Sequence, residues 1–188
     1  MQHDPVPGTT VRMRIVSTDR FSLEPQTIVH AAEMFAVLSD PAIYQYENQP
    51  PPSVAWLTER FRRLESRQSS DGSEQWLNWV IRLPGAQLVG YVQATITADG
   101  RAAIAYILHS AYWGRGLARR AVQAMIAELA DHHQVRRFSA VLKRENHRSS
   151  GLLERLSFKA ATPAQRAEFC ADADELAYAL ECAEDLLE

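Results

Sequence analysis

The sequence predicts an α+β domain whose central sheet is mixed, mostly antiparallel and flanked by helices. Three consecutive segments have the composition of strands and are joined by turn dipeptides, which is typical of an antiparallel meander. A helical pattern then separates the third strand from a fourth, and a crossover helix allows those two strands to pair in parallel. The chain has 188 residues, 46% of them hydrophobic, which suffices for one packed core.

The N-terminal third is predicted to contain one strand and two helices. The strand covers residues 20–24, and a helix beginning near Gln26 follows it until Pro41. Three prolines at 50–52 form a stiff connector, after which Ser53 is the expected N-cap of the second helix. The apolar face of the first helix is predicted to be Ile28, Ala31, Ala32, Phe35 and Leu38, and that of the second Leu57, Phe61 and Leu64.

The remaining segments supply the sheet and its crossover. The meander strands are predicted at residues 76–83, 87–97 and 101–108, separated by a Pro-Gly and an Asp-Gly turn. The crossover helix begins near Ala118 and leads to a strand at 135–142. The C-terminal part is predicted to hold a short helix at 148–156 and two strands, one from Lys159 towards Phe169 and one at 175–181.

A glycine-rich loop lies between the third meander strand and the crossover helix. Gly114 and Gly116 let the backbone turn so that several N–H groups point at one place, and the helix dipole adds positive potential there. The loop lacks the third glycine of a dinucleotide fingerprint and the Gly-Lys-Ser/Thr of a Walker loop. The pattern therefore indicates an anion cradle of another type, or an ordinary turn between a strand and a helix.

Residues 113–118 (WGRGLA) resemble the acetyl-CoA pyrophosphate loop of the GCN5-related N-acetyltransferase (GNAT) family, written Q/R-x-x-G-x-G/A. Gly116 and Ala118 match its last two positions. Trp113 replaces the Gln or Arg, as is often seen in the branch that acetylates ribosomal-protein N-termini.

A second segment, residues 146–158, is similar to the family pattern N-x-x-S-x-x-x-L-E-K-L-G-F. It departs from that pattern at Arg155, which stands for Lys, and at Ser157, which stands for a Gly that relaxes the helix end. Residues 17–25, 32–41 and 174–180 also resemble the ribosomal-type branch. The resemblance implies one acetyltransferase domain at 11–182, with tails at 1–10 and 183–188.

The family resemblance implies a GNAT-type sheet in which the strand at 101–108 and the strand at 135–142 splay apart to hold acetyl-CoA. The pantetheine arm would pair with free backbone groups of Ile107, Leu108 and His109. The diphosphate would accept hydrogen bonds from the N–H groups of Arg115, Gly116, Leu117, Ala118 and Arg119, with the guanidinium groups of Arg115, Arg119 or Arg120 adding charge. Cations in a first helical turn oppose the dipole, which favours a bound anion there over a merely solvated face.

The implied chemistry is direct acetyl transfer to a neutral amine in a ternary complex, with no metal and no covalent enzyme intermediate. A backbone N–H of the splayed strand would stabilise the oxyanion. Ser149 would donate a hydrogen bond to the departing thiolate, and Asn146 would orient the pantetheine or the strand. Either side chain could instead cap the following helix.

The sequence does not identify a general base. Relatives often place a carboxylate in the splayed strand, but residues 102–106 contain none. A water relay, Glu24, His30 or Glu47 could serve instead. The aromatic and amide side chains that could line the acceptor site, or belong to the core, are Tyr46, Trp56, Trp79, Tyr91 and Gln93.

Composition limits the partners. The net charge is −3 and there is no basic run, which disfavours nucleic acid as a partner. No apolar run approaches the length of a membrane span.

We expect a cytoplasmic monomer or homodimer whose substrate carries an amine. A protein N-terminal α-amine ranks ahead of a small amine as that substrate. The alternatives are a non-catalytic acyl-CoA-binding or regulatory protein and a structural domain without a nucleotide. Cys170 and Cys182 are expected to be free thiols.

Overall fold

The computed structural model describes residues 12–46 and 48–182. The strands in this part of the chain are β1 Val16–Ser17, β2 Ser22–Pro25, β3 Glu74–Arg82, β4 Leu88–Thr97, β5 Arg101–Leu108, β6 Arg137–Lys143, β7 Lys159–Ala160 and β8 Glu175–Glu181. The helices are α1 Ala31–Leu38, α2 Val54–Leu64, α3 Leu117–His132, α4 His147–Arg155 and α5 Pro163–Glu168. The predicted tails, which lie within 1–11 and 183–188, and the candidate base Glu47 fall outside the described residues.

The described strands form one sheet in the order β1-β2-β3-β4-β5-β6-β8-β7. All pairs are antiparallel except β5 and β6, which are parallel. The predicted α+β class, the meander β3-β4-β5 and the crossover through α3 are confirmed. The parallel pairing ends at Ala103 opposite Ser139, so β5 and β6 separate over the rest of β5. The sheet therefore opens beside residues 104–108.

Helices cover both faces of the sheet because the strand residues alternate between two buried clusters. Trp79, Met125 and Phe138 belong to the larger cluster, on the face that packs against α3. Met34, Leu57 and Val80 belong to the smaller cluster, under α1 and α2. The two clusters thus cover both faces of the sheet at β5. Beyond Ala103, the edge of β5 that faces β6 has no neighbouring strand and can pair with another molecule.

The first helix differs from its predicted phase. A 3₁₀ turn, Ile28–His30, precedes α1, and the residues that α1 buries are Ala31, Met34, Val37 and Leu38. The predicted face was wrong at Ala32, which is exposed. Because a 3₁₀ turn has 3.0 residues per turn and an α-helix has 3.6, the buried stripe shifts where one follows the other. The second helix begins as predicted, with the Ser53 hydroxyl accepting from the Trp56 N–H at 3.1 Å.

The predicted strand from Lys159 towards Phe169 was wrong beyond its first two residues. Thr162 forms a capping box with Gln165, and Pro163 occupies the first turn of α5. These are helix-start signals, and they outweigh the strand propensity of the neighbouring residues. The short helix α5 packs on β8, which lies where it was predicted.

No helix in residues 12–46 or 48–182 combines the length and the apolar character that spanning a membrane requires.

Candidate active site

A cavity of about 840 Å³ lies where β5 and β6 separate. Its walls come from the end of β5, the glycine loop with the start of α3, the start of α4, and the segment after α1. The lining residues are Ala42, Ile43, Tyr46, Tyr106, Ile107, Leu108, Tyr112, Trp113, Gly114, Gly116, Leu117, Ala118, Arg119, Asn146, His147, Arg148, Ser149, Gly151, Leu152 and Arg155. The structure therefore brings the two sequence motifs together around one space of the size that small-molecule sites have.

The glycine loop has the backbone geometry that its sequence predicts. Gly114 and Gly116 have φ angles of 73° and 71°, in the left-handed region that favours glycine. Gly116 is the N-cap of α3, and no side chain caps this helix start. The Arg120 N–H donates to the Gly116 carbonyl at 3.2 Å, so the N–H groups of Leu117, Ala118 and Arg119 precede the first helical hydrogen bond. These three N–H groups therefore have no acceptor within the helix.

The space next to Gly116 is open. A Cβ atom placed on this residue would meet no heavy atom within 4 Å. The first turn of α3 contains no acidic residue but does contain Arg119 and Arg120. An uncapped helix start, a positive dipole end and nearby guanidinium groups fit a bound diphosphate.

The structure separates the predicted cations by position. Arg119 lines the cavity, whereas Arg115 and Arg120 are outside its lining. The Arg115 guanidinium instead lies 5.7 Å from the centre of the Tyr112 ring. Sequence reasoning missed Arg148, whose guanidinium lies 4.1 Å from the Trp113 ring centre in the cavity wall. The sequence feature that could have identified Arg148 is its position as a basic residue between the Asn and the Ser of the second motif.

The end of β5 presents a backbone edge to the cavity. The expectation of free backbone groups was wrong at His109, whose N–H donates to the Val89 carbonyl at 2.9 Å, and at Ile107, which pairs with Tyr91 of β4. Because successive backbone groups alternate in direction, the Leu108 N–H and C=O point to the open side. The Leu108 carbonyl accepts from the Trp113 indole N–H at 2.7 Å. Trp113 therefore fixes the glycine loop to the open edge of the strand.

Strands β4 and β5 approach each other closely next to this edge. A Cβ atom on Gly90 in β4 would lie 2.1 Å from the Ile107 carbonyl oxygen. Only glycine fits there, and the register of β3 and β4 shifts at the same place, between Ile81 and Arg82. This register shift is a β-bulge, and it lies in the part of β4 that packs against the last residues of β5.

The second motif supplies two polar side chains to the cavity wall, and one of them also caps helix α4. The Asn146 side chain accepts from the Ser149 N–H at 3.2 Å and is the N-cap of α4. Asn146, not Ser149, therefore makes the capping contact, and both residues line the cavity. Ser157, at the glycine position of the motif, has φ of 68°, and its N–H donates to the Glu154 carbonyl at 3.0 Å. The helix end keeps the left-handed geometry that a glycine would adopt without strain.

Tyr106 is a cavity residue that sequence reasoning did not single out. Its hydroxyl lies 3.4 Å from the Ser149 carbonyl oxygen. Burial raises the pKa of Tyr106 to about 12, although a hydrogen bond with Ser149 opposes the shift. The phenol is therefore a neutral donor at any physiological pH. Its position in the splayed half of β5 could have identified it.

The two described candidates for a general base are engaged elsewhere. Glu24 on β2 forms an ion pair with Arg82 at 2.8 Å, and its other carboxylate oxygen lies 3.4 Å from His30 Nε2. Neither Glu24 nor His30 lines the cavity, and none of its lining residues in the described part of the chain carries a carboxylate.

The predicted acceptor-side residues divide into three groups. Tyr46 lines the cavity. Trp79 is fully buried and its indole N–H donates to the Arg14 carbonyl at 3.1 Å, so it belongs to the core. Trp56 is exposed beneath Arg60, while Tyr91 and Gln93 lie on β4 outside the lining.

Comparison with known proteins agrees with this architecture. Residues 20–159 match the acetyltransferase (GNAT) domain, so the chain belongs to the GNAT acetyltransferase family. No curated protein sequence matches the chain significantly.

The fold is similar to that of several solved acetyltransferases. RimL, a ribosomal L7/L12 alpha-N-protein acetyltransferase in complex with coenzyme A, has a TM-score of 0.75 and 19% identity over 89% of this chain and 98% of its own. The microcin C7 self-immunity acetyltransferase MccE, in complex with acetyl-CoA and AMP, gives 0.74 and 18%, over 88% and 94%. The ribosomal-protein-S5-alanine acetyltransferase from Vibrio fischeri gives 0.74 and 17%, over 94% and 100%.

Proposed function

We propose that the protein is an acetyl-CoA-dependent N-acetyltransferase that moves an acetyl group directly to a primary amine within a ternary complex. The observation that carries this proposal is the uncapped start of α3 at the glycine loop, in the wall of the cavity between the separated strands. Membership of the GNAT family supplies the class of cosubstrate. Acetyl-CoA would bring the activated thioester.

The chain's own groups can hold such a molecule at two places. The N–H groups of Leu117, Ala118 and Arg119 would bind the diphosphate together with the Arg119 guanidinium. The Leu108 N–H, on the open edge of β5, would pair with the amide-rich arm. Because the glycine loop and this edge are joined by the Trp113 hydrogen bond, the two contacts act as one preformed surface.

Transfer requires that the amine be neutral and that the departing thiolate be stabilised. Ser149 in the cavity wall would donate a hydrogen bond to the sulfur, which is a weaker role than full proton donation because a serine hydroxyl is a weak acid. Since the described cavity lining offers no carboxylate, a water would carry the amine proton away. The reaction then needs no covalent enzyme intermediate.

The acceptor that we favour is a protein N-terminal α-amine. The sequence resemblance to the ribosomal branch and the fold likeness to two ribosomal-protein acetyltransferases support it. The second candidate acceptor is a small amine, and the fold likeness to the microcin C7 self-immunity acetyltransferase supports it.

A binding-only protein is the competing function, because no carboxylate lies in β5 or in the described cavity lining. Acetyl-CoA consumption with a panel of N-terminal peptides and small amines separates the two. Continuous release of free thiol that depends on an amine, with acetylated product in the mass spectrum, removes the binding-only alternative. Tight acetyl-CoA binding without release for any amine in the panel would overturn catalysis.

A further inference from the structure

Asp40 joins two walls of the cavity that are far apart in sequence. Its Oδ1 accepts from the Ala42 N–H at 3.0 Å, which caps the 3₁₀ turn Pro41–Tyr44 after α1. Its Oδ2 accepts from the Ser110 N–H at 2.8 Å, at the start of a second 3₁₀ turn, Ser110–Tyr112. One carboxylate therefore holds both the segment 41–46 and the segment that leads into the glycine loop.

Both segments contribute to the cavity wall. Ala42, Ile43 and Tyr46 come from the first and Leu108, Tyr112 and Trp113 from the second. The first segment is also tied back to α1, because the Tyr44 hydroxyl donates to the Leu38 carbonyl at 2.7 Å. Movement of either wall would therefore strain the hydrogen bonds of Asp40.

The surroundings of Asp40 make this bridge strong. Its side chain is only 9% exposed, and no Lys or Arg of the described residues forms an ion pair with it. The His109 ring lies beside the carboxylate, with its Nδ1 3.6 Å from Oδ2 and accepting from the Ala111 N–H at 3.2 Å. Burial alone would raise the pKa of this carboxyl, but hydrogen bonds from Ser110 and Ala42 lower it below its ordinary value. A carboxylate with so little exposed surface loses stability when its N–H donors are removed.

We propose that Asp40 is a positioning residue that couples the wall of the cavity that would bind the cofactor (residues 113–120, the cofactor wall) to the wall that would face the amine (residues 41–46, the acceptor wall). Binding at the preformed glycine loop further restricts the motion of residues 108–113, and the carboxylate transmits that restriction to residues 41–46. This inference rests on the proposed function, since it takes coenzyme A as the ligand of the loop. Acceptor affinity and cofactor affinity are then linked through one side chain.

The substitution Asp40→Asn tests the bridge with little change in volume. Asp40 uses each oxygen for a different donor, whereas asparagine has one oxygen and one NH₂ group. Asparagine is a good N-cap, so the variant keeps the Ala42 contact and loses the Ser110 contact. The matched control is Ser53→Ala, which removes a cap from α2 without touching the cavity.

Hydrogen–deuterium exchange with and without coenzyme A measures the coupling directly. In the unsubstituted protein we expect coenzyme A to protect residues 41–46 as well as residues 116–120. In Asp40→Asn the protection at 116–120 remains and that at 41–46 is lost, while Ser53→Ala keeps both. For an amine that is accepted, KM rises about tenfold in Asp40→Asn, and the Kd of acetyl-CoA changes less than about threefold.

The outcomes separate failure of this inference from failure of the proposed function. Absence of protection at 116–120 in the unsubstituted protein would remove the cofactor assignment itself. Protection at 116–120 without protection at 41–46, or equal protection of 41–46 in Asp40→Asn, would overturn the coupling alone. If Asp40→Asn does not fold, Ser110→Pro decides: it deletes the same N–H, and His109 has φ −54° and ψ 137°, which suits a residue before proline. Coupled protection that survives this change contradicts the role of Asp40.

Discussion

The two walls of the cavity, which we propose to bind the cofactor and to face the acceptor, are built in different ways. The cofactor wall is local in sequence: residues 113–120 contain the turn, the glycines and the helix start that make the anion cradle. The acceptor wall takes Ala42, Ile43 and Tyr46 from a 3₁₀ turn and its continuation, held by Asp40 against Ser110, which is 70 residues away. One wall presents backbone donors in a fixed array, and the other presents side chains placed by tertiary contacts.

This difference explains why the sequence motifs indicate the cosubstrate more directly than the acceptor. Backbone donors at a helix start recognise a diphosphate whatever the neighbouring side chains are. Amine recognition depends on the shape and charge of side chains that come together only in the folded chain. Variants of the two walls should therefore lose different properties.

The largest effect is expected for Gly116→Glu. A carboxylate at this position would face the anion, and like charges in contact cost several kcal/mol, so acetyl-CoA affinity should fall at least about a hundredfold. Gly100→Glu is the matched control, because Gly100 has a similar φ of 76° and equally open space but lies in the β4–β5 turn. Calorimetry should show binding lost in the first variant and kept in the second. Equal affinities in the two would sink the site assignment.

The next effect is expected for Ser149→Ala. If the hydroxyl stabilises the thiolate, kcat should fall roughly tenfold to a hundredfold with the Kd of acetyl-CoA unchanged. Ser150→Ala is the control, since the Ser150 hydroxyl bonds to the Tyr178 hydroxyl at 2.7 Å and lies outside the cavity lining. It should lower the melting temperature and leave kcat intact. Parallel loss of kcat and affinity in Ser149→Ala would indicate a structural role.

A smaller effect distinguishes two arginines in the same helical turn. Arg119 lines the cavity and Arg120 does not, so Arg119→Ala should weaken acetyl-CoA binding about fivefold to tenfold and Arg120→Ala by less than about twofold. The first loss should shrink as salt is added, because the contact is exposed and screened. Titrations at two ionic strengths check this, and identical affinities in the two variants would contradict the assignment.

The smallest effect is conformational. Ser157 holds a left-handed φ of 68° at the end of α4, where glycine adopts that angle freely. Ser157→Gly should raise the free energy of unfolding by about 1 kcal/mol without changing acetyl-CoA affinity. Denaturant melts provide the measurement. A destabilised variant would show that the Ser157 side chain makes a contact worth more than the strain.

The parts of the fold that local signals determine were predictable from sequence. Periodicity and turn dipeptides identified the meander, and the glycines of the loop have the left-handed angles expected for them. The phase of α1 was not predictable because a 3₁₀ turn before it shifts the buried stripe. Helix α5 was not predicted although Thr162 and Pro163 are helix-start signals, because a helix of 6 residues is too short to show an apolar periodicity.

In the candidate site, too, the local motifs were predictable from sequence and the tertiary contacts were not. Both motifs line the cavity, but His109 is committed to β4 and the choice among the arginines depends on the direction of each side chain from α3. Tyr106 and Arg148 carried sequence signals through their places in β5 and in the second motif, but their contacts with Ser149 and Trp113 exist only in the folded chain. Asp40 gave no sequence signal, because its role depends on Ser110, 70 residues away.

The most direct test of the cofactor wall is an amide NMR titration of the protein with coenzyme A. Diphosphate binding by the backbone should move the amide proton signals of Gly116, Leu117, Ala118 and Arg119 further downfield than others, because an anion accepts hydrogen bonds from them. Saturation with coenzyme A that leaves these four signals in place, while others move, would contradict the assignment of the glycine loop as the cofactor site.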